Sequence, residues 1–129
     1  MSECARIFLS LGLILLASCR IAVNGPSEAL VSHFQFEPEA FDSFVGASRA
    51  RYHLSKPSHV SLAIVRLTDE GTRTPVKTLF ENLFEAGGSH AHTWLGETDA
   101  GTFAPSGSYV GILSTGSERF EAVVRIYHR

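Results

Sequence analysis

His90 and His92 stand two residues apart in the stretch Ser89-His90-Ala91-His92-Thr93-Trp94. On an extended backbone alternate side chains share a face, and two imidazoles on one face are the smallest arrangement that can share a metal ion. A closed site needs further donors, and no third ligand stands at a recognisable spacing from this pair. His33, His53, His59 and His128 would have to be brought near by folding. The chain's single tryptophan, Trp94, has the same strand parity, so the face that carries the histidines also carries the largest apolar side chain. The pair is therefore expected to be structural, partly buried near one end of a strand and bonded to backbone or neighbouring groups, with no metal.

Other chemistry has no nominee. The chain lacks a G-x-S-x-G elbow, an H-E-x-x-H pair and a G-x-x-x-x-G-K-[ST] loop, and Gly87-Gly88-Ser89-His90-Ala91-His92 is too short and polar to cradle phosphate. No catalytic residue and no cofactor is expected, and the chain is not read as an enzyme. A formal net charge of −2 and a pI near 6.3 provide no basic field, so nucleic acid is excluded as an expected partner. With 129 residues, 44% hydrophobic and 19% charged, the chain suits one globular domain.

The remaining reactive side chain is Cys19. It ends the segment MSECARIFLSLGLILLASC, which has a short polar start with Arg6, an apolar run from Ile7 to Leu16, and then Ala17 and Ser18. That run is about half the ~20 apolar residues of a spanning helix and has the length of an export-signal core. Leu16-Ala17-Ser18-Cys19 resembles the lipobox of bacterial lipoproteins, in which the peptide is cut before a cysteine whose sulfur carries diacylglycerol. The resemblance implies a signal peptide over residues 1–18, a membrane partner engaged through acyl chains on Cys19, and a place in the bacterial cell envelope. Two or three acyl chains hold where a single chain binds marginally. Glu3 offsets Arg6, a departure from the usual basic start. Two plainer readings use the same residues: an ordinary secretory signal, or a buried apolar helix with Cys19 in its core.

On the lipoprotein reading Cys4 leaves with the signal, and the mature domain has neither disulfide nor free thiol. Arg20 follows the cysteine where inner-membrane retention would use aspartate, which favours the outer membrane. Residues 19–28 form the lipidated cysteine and a short tether punctuated by Asn24, Gly25 and Pro26, and the domain occupies residues 29–129. Nine residues of coil reach only about 15–18 Å, so the domain is expected close to its membrane.

The elements that must position the histidines are strands. Val60, Leu62 and Ile64 alternate with Ser61 and Ala63 ahead of a turn at Asp69-Glu70-Gly71. Ala50–Pro57 holds a shorter strand stopped by its proline. Ser108–Ser114 and Arg119–Tyr127 flank a hairpin loop at Thr115-Gly116-Ser117, and the second places Phe120, Ala122, Val124 and Ile126 on one face. Helical spacing is present, and weakly, only in Lys77–Gly88. The pattern predicts an all-β, antiparallel, immunoglobulin-like sandwich of about seven strands. Arg66, Asp69, Glu70, Arg73 and Lys77 are expected on a solvated face.

These segments together resemble the FlgD-like immunoglobulin domain, the type found in flagellar hook-capping proteins. RYHLSKPSHVSLAIVRLTDEGTRTPVKTL is similar to its first half, with a tyrosine-leucine strand, a V-x-L-x-I strand, a glycine turn and a V-x-x-L strand. AGGSHAHTWLGETDAGTFAPSGSYVGIL is similar to its second half, where histidine leads to a tryptophan, a glycine, an Asp-x-Gly turn and Ser-Gly-x-Tyr. FQFEPEAF resembles the first strand. Leu95 departs from the aspartate usual after the tryptophan. The resemblance marks Trp94, Gly96, Gly101, Gly107 and Tyr109 as structural core and turn residues. Tyr109 is expected either to cap a corner through its hydroxyl or to be a half-buried strand aromatic.

Two function classes follow. One is a lipid-anchored, non-catalytic structural or interaction module with an envelope protein as partner. The other is a small carbohydrate- or peptide-binding sandwich, which a shared groove of exposed aromatics among Phe34, Phe36, Phe44, Phe80 and Phe84 would favour. A secretion sorting domain shares the Gly-x-Tyr strand but suits the Trp-x-Gly segment less well.

Overall fold

The computed structural model describes residues 29–128; the apolar segment, Cys19 and the tether lie outside the described residues. Eight strands follow in order: β1 (Val31–Glu37), β2 (Ala40–Phe41), β3 (Ser48–Leu54), β4 (Ser58–Leu67), β5 (Arg73–Glu85), β6 (Gly88–Trp94), β7 (Gly107–Ser114) and β8 (Arg119–Ile126). They form two packed sheets, one ordered β1-β3-β6 and the other β2-β8-β7-β4-β5. Every pairing is antiparallel except the two-residue match of β2 to β8, which is parallel. The fold is an all-β sandwich. The short β2 is the strand that brings the number to eight.

Alternation makes the two layers. In β3, Ser48, Ala50, Tyr52 and Leu54 are buried while Arg49, Arg51 and His53 face out. In β4, Val60, Leu62 and Ile64 are buried, each within 1% of complete enclosure. In β8 the inward set of Phe120, Ala122, Val124 and Ile126 grades from half-buried to buried along the strand. Each fully buried aliphatic or aromatic side chain contributes about 1.5–3 kcal/mol, so the facing rows hold the sheets together. Trp94 and Tyr109 lie at the centre, edge to face with ring centroids 5.4 Å apart, and Phe41 meets Trp94 at 5.8 Å.

The segment with weak helical spacing is a strand. β5 pairs with β4 along its length, with register shifts that absorb its irregular pattern. One irregularity sits at Asn82, whose φ is +52° and whose N–H donates to Ser61 Oγ at 2.9 Å. Asparagine tolerates this left-handed conformation, and a bulge there turns the residues that follow. β5 is also an outer strand of its sheet. Asp99, in the β6–β7 connection, donates its N–H to Val76 O at 2.9 Å and accepts Thr78 N–H on Oδ1 at 3.0 Å.

The strand ends sort into two groups. At one end lie Leu30, the 55–57 turn and the β5–β6 turn, where Ser55 N–H donates to Leu30 O at 2.9 Å and Val31 pairs with Leu54. At the other lie the 42–47 connection, the β4–β5 turn, the 95–106 connection and His128. The chain thus enters the domain at the first end. Among the described residues no helix is long and apolar enough to cross a membrane.

Candidate functional site

β6 places His90, His92 and Trp94 on its inner face, with Ser89, Ala91 and Thr93 outward. The two histidines are half-buried and Trp94 is fully enclosed. They meet Glu85, the last residue of β5, which is buried although it is a carboxylate. His92 Nε2 lies 2.7 Å from Glu85 Oε2, and His90 Nδ1 lies 3.4 Å from the same oxygen. The other oxygen accepts a hydrogen bond from the Tyr52 hydroxyl of β3. His90 also donates from Nε2 to Ala86 O at 2.7 Å.

This set of contacts explains how a carboxylate is enclosed. A buried charge is tolerated only when paired and hydrogen-bonded, and both oxygens of Glu85 are engaged. The hydrogen bond to Ala86 O fixes His90 Nε2 as a donor, since a carbonyl only accepts. The aromatic rings close around the polar atoms: His92 stacks on Tyr52 at 6.0 Å and sits 4.5 Å from Phe80. Burial, followed by the hydrogen bond and the charge of Glu85, pushes the Tyr52 hydroxyl well above its ordinary range. The cluster is a polar link between layers, because Glu85 belongs to the five-stranded sheet while Tyr52 and both histidines belong to the three-stranded one. Among the described residues no group of three or more His, Cys, Asp or Glu side chains is placed to hold a metal ion.

Sequence reasoning missed Glu85 and Tyr52 as partners of the histidines. Tyr52 is 33 residues from Glu85 and shares no local pattern with it. The available signal was a carboxylate two residues ahead of Gly87-Gly88 at the close of an apolar strand, which reads just as well as a solvated charge.

The residues marked by the family resemblance lie toward the other end of the sandwich, Trp94 and Tyr109 in its core and Gly101 in an exposed turn. Trp94 donates Nε1–H to Glu97 O at 2.9 Å, so its one polar atom is satisfied inside. Gly96 has φ +80°, and a Cβ there would stand 2.5 Å from Ser43 Cβ. Gly101, φ +85°, turns a small hairpin in which its N–H donates to Thr98 O at 2.9 Å. Gly107 opens β7 beside the Arg66 guanidinium. The Tyr109 hydroxyl donates to Pro105 O, four residues upstream, and burial raises it above its ordinary range. Of the charges expected on a solvated face, Arg73 is held by Glu121 through two bonds at 2.7 and 3.0 Å. Cys19 lies outside the described residues.

The five phenylalanines do not share a surface. Phe36 is buried, Phe34 and Phe80 pack partly buried on the core, and Phe44 and Phe84 are exposed at opposite ends. At the end remote from Leu30, Phe44, Val45, Leu95 and Phe103 are all more than half exposed. Two of them are in contact. Phe44 meets Phe103 edge-on at 4.8 Å and stacks on His128 at 4.1 Å, and His128 Nε2 is 2.9 Å from Ser43 Oγ. Phe44 and Val45 also wall a hollow of about 710 Å³ shared with Asp42 and Tyr127.

Compared with known protein families and with curated proteins, the chain matches none of them.

Proposed function

We propose that this protein is a lipid-anchored, non-catalytic interaction module of the bacterial cell envelope, a FlgD-like immunoglobulin domain attached through acyl chains on Cys19. The observation that carries the reading is the separation of its two ends. The described chain enters beside Ser55, while the exposed Phe44, Val45, Leu95 and Phe103 lie at the far end, with Phe44 against Phe103. An anchor at one end and a preformed apolar patch at the other suit a domain that holds an envelope protein partner away from its own membrane. The outer membrane is the proposed location, from Arg20 after the cysteine.

Two measurements test it together. Radiolabelled fatty acid is incorporated into the wild type and not into Cys19→Ala. A photo-reactive residue at position 103 gives a discrete cross-linked adduct in intact cells, whereas one at His53, on the outer face of β3, gives none. Absence of label in the wild type removes the anchor, and equal adducts at both positions remove the patch as a partner surface.

A further inference from the structure

The end of β5 reverses the usual distribution of side chains. Leu83 is 39% and Phe84 60% exposed, while the next residue, Glu85, is 8% exposed. Phe84 faces solvent and the carboxylate faces the core, while Leu83, opposite buried Val60, shares the inner face at the sheet's edge. Tyr52 and His92 hold Glu85 inward, and successive strand residues point to opposite faces, so Phe84 is fixed outward. It stands against the His59 ring at 5.0 Å, its cross-strand neighbour. Turning Phe84 inward would require slipping the strand by one residue, which would expel Glu85 from its partners.

This pair sits at the end where the chain enters. Ser58 pairs with Glu85 and His59 with Phe84, directly after the 55–57 turn that binds Leu30. Lys56 lies in the same turn, its Cα at 3.3 Å from where a Cβ of Gly87 would stand. Nine residues, 20–28, separate Cys19 from the first described residue, and a flexible linker of that length would reach about 15–18 Å. We propose that Phe84 forms a bilayer-contact site, seated among headgroups with Lys56 beside anionic lipid, which orients the domain with its far patch outward. The inference rests on the lipid-anchor reading. Aromatic side chains suit the boundary between water and acyl chains, and a second contact converts a loose tether into a defined pose.

The test uses full-length lipidated protein in vesicles of phosphatidylethanolamine and phosphatidylglycerol, with and without brominated acyl chains. Phe84→Trp and Phe44→Trp each add one fluorophore to buried Trp94, at opposite ends. Flotation with the vesicles is read first, because failure to float shows that the anchor, and this contact with it, is wrong. Given flotation, the added emission of Phe84→Trp should be quenched at least twofold by brominated lipid and protected from iodide, with the reverse for Phe44→Trp. Floating protein in which Phe84→Trp stays open to iodide and insensitive to bromine overturns the contact while leaving the anchor standing.

Discussion

Glu85 Oε2 and His92 Nε2, 2.7 Å apart, join the last residue of β5 to the middle of β6 and so pin one sheet to the other at the sandwich's mouth. Layers that otherwise meet through apolar rows acquire here a contact with a required geometry. Removing one partner leaves the others buried without compensation, which costs more than the contact contributes.

Tyr52→Phe should therefore lower stability by about 1–3 kcal/mol, the usual penalty for stripping a buried acceptor of its donor. Glu85→Ala should cost at least as much. Because the two share one hydrogen bond, the double variant should lose less than the sum. Urea denaturation of the four proteins measures this, and strict additivity would show that the bond contributes nothing.

Trp94→Ala removes the side chain that touches Phe41 and Tyr109 at the core's centre. A loss of about 3–5 kcal/mol is expected, against a total of about 5–15 kcal/mol for a small domain. The wild-type emission should be blue-shifted and poorly quenched by iodide. A variant with an unchanged melt and a red-shifted parent spectrum would place the indole at the surface.

Gly96 and Gly101 separate two effects. Both have positive φ, where a side chain costs about 1–2 kcal/mol, but only Gly96 faces a neighbour, Ser43 Cβ at 2.5 Å from an added Cβ. Gly96→Ala should destabilise clearly more than Gly101→Ala. Equal melting temperatures would mean that the 42–47 connection yields without resistance.

Alkaline titration reads the buried phenols. Tyr52 and Tyr109 are both raised above the ordinary value near 10, chiefly by burial. Their neutral forms stabilise the fold fully below that value, and the contribution is lost as pH climbs through the raised range. Tyrosinate absorbance from these two should appear only with unfolding, detected as loss of near-ultraviolet dichroism. Tyr52→Phe should show a weaker fall of stability above about pH 10. Ionisation of all three tyrosines with the dichroism intact would contradict the enclosed environments.

The sandwich was legible because its inner rows are written at period two: Val60, Leu62 and Ile64 declare a strand within five residues, and Thr115-Gly116-Ser117 declares a hairpin. Trp94 carried enough apolar area to mark the core side of β6. β5 was legible only near its start, where Val76-x-x-Leu79 resembles a strand; its bulge at Asn82 shifts the period midway, and Leu79, Phe80, Leu83 and Phe84 stand at spacings that imitate a helix. The Glu85 cluster was hidden for a different reason. Its members come from three strands, and only pairing of β3 with β6, and the turn from β5 into β6, brings them to one carboxylate. Local pattern records which way a side chain points, and carries no record of what it meets.

Asp99 reaches across to β5 with its own N–H and its carboxylate, occupying Val76 O and Thr78 N–H. An outermost strand with free backbone groups is a template on which a second copy can lengthen the sheet. Here the template is already written over by the chain's own loop. Crowding many copies together therefore does not by itself give a continuous ribbon through β5, because a newcomer must first evict Asp99. Asp99→Ala removes one of the two bonds that block it, and concentration-dependent light scattering should rise in that variant while the parent stays flat.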